Sequence, residues 1–150
     1  MHTKYVFRVF GQWQGGMHGR GELVNEEQTI RTPFSVAEEF GGIGGPTNPE
    51  ELFLSAACSC YLITLAYVAE KMRLPIKKIE CEAEGRVSPH EDEGFHFTEI
   101  ILKPHIEVEG DPKTHEFAIA RAVHLAQQRC VISRAVKGTV KYEIKPTVKV

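Results

Sequence analysis

Four cysteines, at positions 58, 60, 81 and 130, are the residues of this chain best suited to chemistry. In a reducing compartment, four unevenly spaced thiols in 150 residues are structural groups, metal ligands or reactive nucleophiles, because they lack the density of a disulfide scaffold. Cys58 and Cys60 fall on one predicted helix, two residues apart. That spacing is a rotation of about 200° at 3.6 residues per turn, so the two thiols head in nearly opposite directions and cannot readily grip one metal ion or pair with each other. His124 with Cys130 completes no tetrahedral ligand set, and the seven histidines are scattered along the chain. No metal and no cofactor is therefore expected. Cys81 sits beside Ile79 and Ala83 in a run that alternates with glutamates, the placement of a small packed hydrophobe. Cys130 lies near the end of an amphipathic helical stretch, on its inward stripe, where it can face a thiol of the first helix. From residue chemistry alone the choice between Cys58 and Cys60 as that partner is open, and simple packing remains an alternative for each.

Two helices and a strand scaffold must hold these thiols. Short strand-like runs at 5–10, 20–24 and 29–35, separated by Gly15-Gly16 and Asn25-Glu26-Glu27, predict a meander. A glycine-rich loop at 38–48 comes next, and its composition suits close approach to a backbone or ligand. Thr47-Asn48-Pro49-Glu50-Glu51 is a helix-start signature, with a capping side chain, proline in the first turn and carboxylates where the dipole favours them. That helix should run to about Arg73. Residues 52–69 carry no charge, which reaches the lower bound for a bilayer span. Ser55, Ser59, Thr64 and many alanines argue instead for a helix buried on nearly every side, which one small domain covers only with the help of a second subunit. Alternation over 77–87, an acidic turn at 88–94 and a run at 95–108 predict a hairpin. Asp111-Pro112 opens a second helix with Ile119, Ala122, Val123, Ala126 and Cys130 on one stripe; Gly138 stops the segment after it, and 139–144 gives a last strand. This order indicates a single α+β domain over residues 1–150.

Composition narrows the function classes. Hydrophobic residues at 42% and charged residues at 25% are ordinary globular usage, enough for a real core. Eighteen basic against twenty acidic side chains leave a net charge of −2, which argues against a dedicated nucleic-acid binder. The opening residues carry Lys4 and Arg8 and no apolar run of signal-peptide length, so a cytoplasmic location is expected and no membrane association.

The run Thr47-Asn48-Pro49-Glu50-Glu51-Leu52-Phe53, with a cysteine ten residues after Glu50, resembles the OsmC/Ohr family of thiol-dependent hydroperoxide reductases. Cys130-Val131-Ile132-Ser133 matches the family's second, C-x-x-S cysteine, and the order of elements from Trp13 to the final strand is similar to the family's across nearly the whole chain. The resemblance implies an α+β, OsmC-like fold of antiparallel sheets packed around two central helices in an intertwined homodimer, with active sites at the subunit interface. It implies peroxidase activity on organic hydroperoxides, recycled by a dithiol reductant of lipoyl type. By the same resemblance Cys60 is the peroxidatic thiol, Cys130 the resolving thiol, and Glu50 one half of an Arg/Glu pair. The family's arginine commonly comes after the paired glycines; here Met17 and His18 stand there, which leaves Arg20 as the candidate, Arg31 as runner-up and His18 as a poor substitute. An apolar pocket of groups such as Phe53, Tyr61 and Tyr67 would suit alkyl or aryl hydroperoxides.

Physical chemistry sets one demand on this reading. A free thiol titrates near pH 8.5 and burial raises it, so a reactive Cys60 needs stabilisation of its thiolate. It stands about 15 Å along the helix from Glu50, beyond the reach of the N-terminal dipole, so a cationic group from elsewhere is expected. Two other readings stay in view: an OsmC-like dimer that binds a small apolar molecule or lipid without catalysis, and a redox-sensing dimer whose cysteines oxidise without turnover.

Overall fold

The computed structural model describes residues 2–92 and 94–149; Met1, Glu93 of the acidic turn and Val150 lie outside the described residues. Two compact units divide the chain, Met1–Leu52 and Phe53–Val150.

In the first unit three strands form an antiparallel meander: β1 (Val9–Gln14), β2 (Arg20–Asn25) and β3 (Arg31–Phe34). The expected first strand at 5–10 is displaced. The tight turn after Gln14, closed by Gly19 N–H donating to the Gly16 carbonyl at 2.9 Å, pairs Gln14 with Arg20 and Val9 with Asn25. Tyr5 to Arg8 therefore lie beyond the register and outside the β1–β2 pairing. Gly21 makes room for two aromatic rings, since a Cβ there would run into Trp13 and Phe34, which pack with centroids 5.5 Å apart. Every residue of β1 is exposed, and Tyr5, Phe7, Val9 and Phe10 present an uncovered apolar surface.

The glycine-rich loop closes on itself. Ser35 N–H donates to the Thr47 carbonyl at 2.9 Å, and the Ser35 hydroxyl donates to the Gly44 carbonyl, pinching the loop at its base. Gly41, Gly44 and Gly45 adopt positive φ inside it. The loop delivers Asn48 as the N-cap of α1 (Pro49–Lys71): its side-chain oxygen accepts from Glu51 N–H at 2.9 Å, and Glu51 accepts in return from the Asn48 amide at 2.9 Å. At the other end Arg73, at φ 56°, closes the helix, with Arg73 N–H bonded to Glu70 and Leu74 N–H to Ala69.

The second unit is a sheet covered on one face by helices. β4 (Ile76–His90) and β5 (Gly94–Val108) form the long hairpin; α2 (Glu116–Arg129) and the short α3 (Val131–Ala135) come next, then β6 (Lys141–Ile144) and β7 (Thr147–Lys149). β4 and β5 pair antiparallel as expected; β6 and β7 pair with β5 in parallel, an arrangement not expected from the sequence, and β7 extends beyond the expected last strand. Ile100, Leu102, Ile106 and Val108 of β5 meet Ala57, Tyr61, Leu65 and Val68 of α1 and Ile119, Ala122, Val123 and Ala126 of α2 in one core. Gly85 lets the Phe97 ring and the Leu54 side chain close over it, because a Cβ there would stand 2.7 Å from Phe97 and 2.9 Å from Leu54.

The opposite face of the hairpin is charged. Lys103 bridges Glu82 and Glu84 at 3.4 and 2.9 Å, and Arg86 and Lys141 reach Glu99 at 3.0 and 3.5 Å. β4 is an edge strand with register shifts near each end, between Ile76 and Lys78 and between Arg86 and Val87. α1 is long and apolar enough to cross a bilayer, with a hydropathy of 1.9 over its most apolar window. One of its faces belongs to the core, while Ser55, Ser59, Ile63, Ala66, Tyr67 and Glu70 are exposed in the single chain.

Candidate active site

Cys60 lies three turns into α1, on a flank between its buried and exposed faces, and is half-buried. The rotation read from the sequence holds: Cys60 and Cys58 address different neighbours. The Sγ of Cys130 approaches that of Cys60 to 3.0 Å, across 70 residues of sequence.

What brings Cys130 there is a break in the chain. The expected helical stripe through position 130 stops at Arg129; Cys130 itself is extended, at φ −64° and ψ 121°, and serves as C-cap of α2 and N-cap of α3. Its N–H still closes α2 on the Ala126 carbonyl at 2.9 Å, and its carbonyl accepts from Arg134 N–H at 3.1 Å to start α3. Ser133 fastens the junction, its hydroxyl reaching the carbonyls of Gln127 at 2.6 Å and Cys130 at 3.2 Å. The cysteine and the serine of C-x-x-S thus form one structural device. It leaves Cys130 fully buried and turns the first amides of α3 towards Cys60.

The two thiols differ in acidity. Burial acts to raise Cys60, but hydrogen bonding from the Cys130 thiol and from the Ile132 and Val131 amides outweighs it and holds this thiol below its usual range; the Thr64 hydroxyl donates to the Cys60 carbonyl at 2.7 Å. Cys130 is raised, first by burial and then by its hydrogen bond to Cys60. Backbone amides of α3 and the Cys130 thiol supply this stabilisation within the chain. Nothing in the composition of Val131 or Ile132 signals this role; the serine three residues after Cys130 is the one cue the sequence offers.

Two tyrosines feel the thiols electrostatically. Tyr61 is pushed up by burial and by the thiols of Cys81 and Cys130, and its hydroxyl donates to the Val123 carbonyl at 3.2 Å. It is wholly buried on the core stripe of α1, so it is a core residue and not the pocket wall expected from the sequence. Phe53 is partly buried and packs on Phe97 at 5.0 Å between centroids, and Tyr67 is exposed beneath Lys71. Tyr142 on β6 is also raised, chiefly by burial and then by Cys130 and Cys60, and its hydroxyl is buried without a hydrogen-bond partner.

The remaining expected residues belong to the first unit. Glu50 stands in the opening turn of α1 with its Oε2 buried and unpartnered. Arg20 begins β2, is exposed, and lines a cavity of about 210 Å³ with Phe34, Ser35, Ile43 and Pro46. Arg31 is held by Glu22 at 2.7 Å. Among the described residues no ion pair joins Arg20 to Glu50, so the structure brings the two cysteines together and leaves the expected Arg/Glu pair apart. Also among the described residues, no group of three or more His, Cys, Asp or Glu could hold a metal ion.

Chemically, an acidified thiol touching a buried protonated thiol can be oxidised at the first sulfur and closed to a disulfide by the second.

Known proteins resemble this chain along most of its length. The family described as OsmC-like protein matches residues 42–145. The uncharacterised protein YmaD of Bacillus subtilis is 32% identical over 95% of this chain and 94% of its own. Peroxiredoxin OsmC of Escherichia coli is 28% identical over 89% of this chain and 92% of its own. An organic hydroperoxide resistance protein from Elizabethkingia anophelis shares the fold, with a TM-score of 0.80 at 19% identity over 99% of this chain and all of that one.

Proposed function

From the premise that this chain belongs to the OsmC-like family, we propose that it is a thiol-dependent peroxidase that reduces organic hydroperoxides to alcohols. The observation that carries the reading is the contact between Cys60 and Cys130 at 3.0 Å, with the acidity of Cys60 increased and that of Cys130 reduced.

In this mechanism the Cys60 thiolate, held by the amides of Val131 and Ile132, attacks the terminal oxygen of the hydroperoxide. The S–O bond forms as the O–O bond breaks; the departing alkoxide takes a proton and leaves as the alcohol, and Cys60 becomes a sulfenic acid. Cys130 gives up its proton and attacks that sulfur, expelling water and forming the disulfide. An external dithiol, of lipoyl type by family analogy, restores both thiols and is itself oxidised to a disulfide. Glu50 and the Arg20 guanidinium orient the peroxide. The unpartnered Glu50 oxygen suits a site finished by a donor group from elsewhere.

A homodimer is part of the proposal. The open face of α1 with Ile63 and Tyr67, and the uncovered residues of β1, are apolar surface that a second copy would cover. The four unpaired cysteines suit a reducing cytoplasm.

The test is consumption of cumene hydroperoxide by reduced protein in the presence of dihydrolipoate. Turnover should vanish in Cys60→Ser, and Cys130→Ser should stall after one equivalent. Peroxide loss that continues unchanged in Cys60→Ser would overturn the proposal.

A further inference from the structure

The proposed reaction leaves two thiols unused, and the fold brings them together. Cys58 faces away from Cys60 around α1, and its Sγ lies 3.4 Å from the carbonyl oxygen of Cys81 on β4. The Cys81 thiol donates to the carbonyl oxygen of Glu82 at 3.6 Å, so both thiols are held at the same stretch of β4 backbone. Both are free and half-buried. Cys81 occupies the inward face of an edge strand, so the pair lies under a margin of the sheet and not in its sealed centre. Its partner across the ladder is Pro104, which has no N–H to contribute to the pairing. Among the described residues no third ligand stands near enough to make a metal site of it.

We propose that Cys58 and Cys81 are a second, intrachain redox dithiol that an alkyl or aryl hydroperoxide in excess converts to a disulfide. Cys58 attacks the terminal peroxide oxygen; its S–O bond forms, the O–O bond breaks, and the alcohol leaves with a proton. The Cys81 thiol then surrenders its proton and attacks the Cys58 sulfenic acid, the S–S bond replacing the S–O bond as water departs. One hydroperoxide is reduced by two electrons and two thiols are oxidised. Burial and the neighbouring Cys58 push Cys81 up to about 12, so its thiolate is scarce at neutral pH and this second closure is slower than that of Cys60 with Cys130. The inferred device is a lock that responds to sustained oxidant by tying α1 to β4. It does not depend on turnover at Cys60, and the experiment isolates it from that site.

In Cys60→Ser/Cys130→Ser protein, excess cumene hydroperoxide should reduce the free-thiol count from two per chain to none. Unreduced tryptic digests should then contain residues 32–71 joined to residues 79–86, lighter than the sum of the two peptides by two hydrogens. A dithiol should reverse both changes. If the double variant fails to fold, the wild-type chain reads the same event: its four thiols fall in two stages, and Cys58→Ser abolishes the second. Two thiols persisting at excess peroxide, a link found only between chains on a non-reducing gel, or Cys58 driven to sulfinic acid without a link would each overturn the inference.

Discussion

Replacing Val131 by proline deletes one hydrogen-bond donor from the Cys60 sulfur and little else. Val131 is the first residue of α3, a position where proline is well tolerated because no intrahelical bond needs its N–H. Cys130 before it already has φ −64° and ψ 121°, the extended geometry that a following proline demands. The valine side chain is 71% exposed, so little packing is lost. A hydrogen bond to a charged group contributes about 1.5–3 kcal/mol. Here the low end applies, because the sulfur is partly exposed and two other donors remain, the Cys130 thiol and the Ile132 amide. At about 1.4 kcal/mol per pH unit, the Cys60 titration should move upward by about one unit. The thiolate population below the transition then falls about tenfold, while the more basic thiolate, once formed, attacks about threefold faster at a Brønsted slope of about 0.45. Peptide-resolved alkylation by iodoacetamide as a function of pH measures both quantities. A shifted inflection with a raised plateau is expected; an unmoved inflection in a variant with native circular dichroism and melting would refute the assignment of amide donors to Cys60.

Four further outcomes are expected from the same structure. Cys81, pushed up to about 12 by burial and Cys58, favours the fold in its protonated form, so its contribution is complete below the ordinary thiol range and is lost as pH rises towards 12; the urea midpoint should decline over that range, and more gently in Cys81→Ala. Leu102→Ala, at a fully buried position of β5, should cost about 3 kcal/mol in urea unfolding, and a loss below about 1 would mean the core collapses around the site. Ser133→Ala removes the hydroxyl that fastens the α2–α3 junction and should cost about 1–2 kcal/mol while slowing disulfide closure between Cys60 and Cys130. Glu50→Gln should hold stability within about 0.5 kcal/mol yet lower peroxidase turnover about tenfold, and unchanged turnover would remove Glu50 from the site.

What the sequence disclosed depended on whether the cause was local. Asn48 and Glu51 cap α1 through their own side chains, and the opposed headings of Cys58 and Cys60 come from helix geometry; both are written in adjacent residues. The alternation of Ile79, Cys81 and Ala83 with glutamates likewise marks the packed and wet faces of β4. The break at Cys130 is different, because its residues suit a continuing helix and the extended backbone is fastened by Ser133 reaching back to Gln127. The parallel placement of β6 and β7 beside β5 is set by where α2 returns the chain, and no period within either short segment encodes a partner. In β1 the apolar run was legible but the register was not, since the turn at Gly16 and Gly19 decides which residues find a neighbour. The amides that act on Cys60 belong to Val131 and Ile132, and a backbone donor has no residue type by which to be recognised.

The charged outer face of β4 bears on how the protein behaves when crowded. A fifteen-residue strand at the margin of a sheet is a template onto which another chain could add, the first step of fibre growth. Here an incoming strand would meet a row of lysine, arginine and glutamate side chains already satisfied across the hairpin, and kinks near both ends that spoil a straight docking line. Salts or substitutions that bleach those charges should therefore show their effect as turbidity and fibre formation before they alter the melting of the fold.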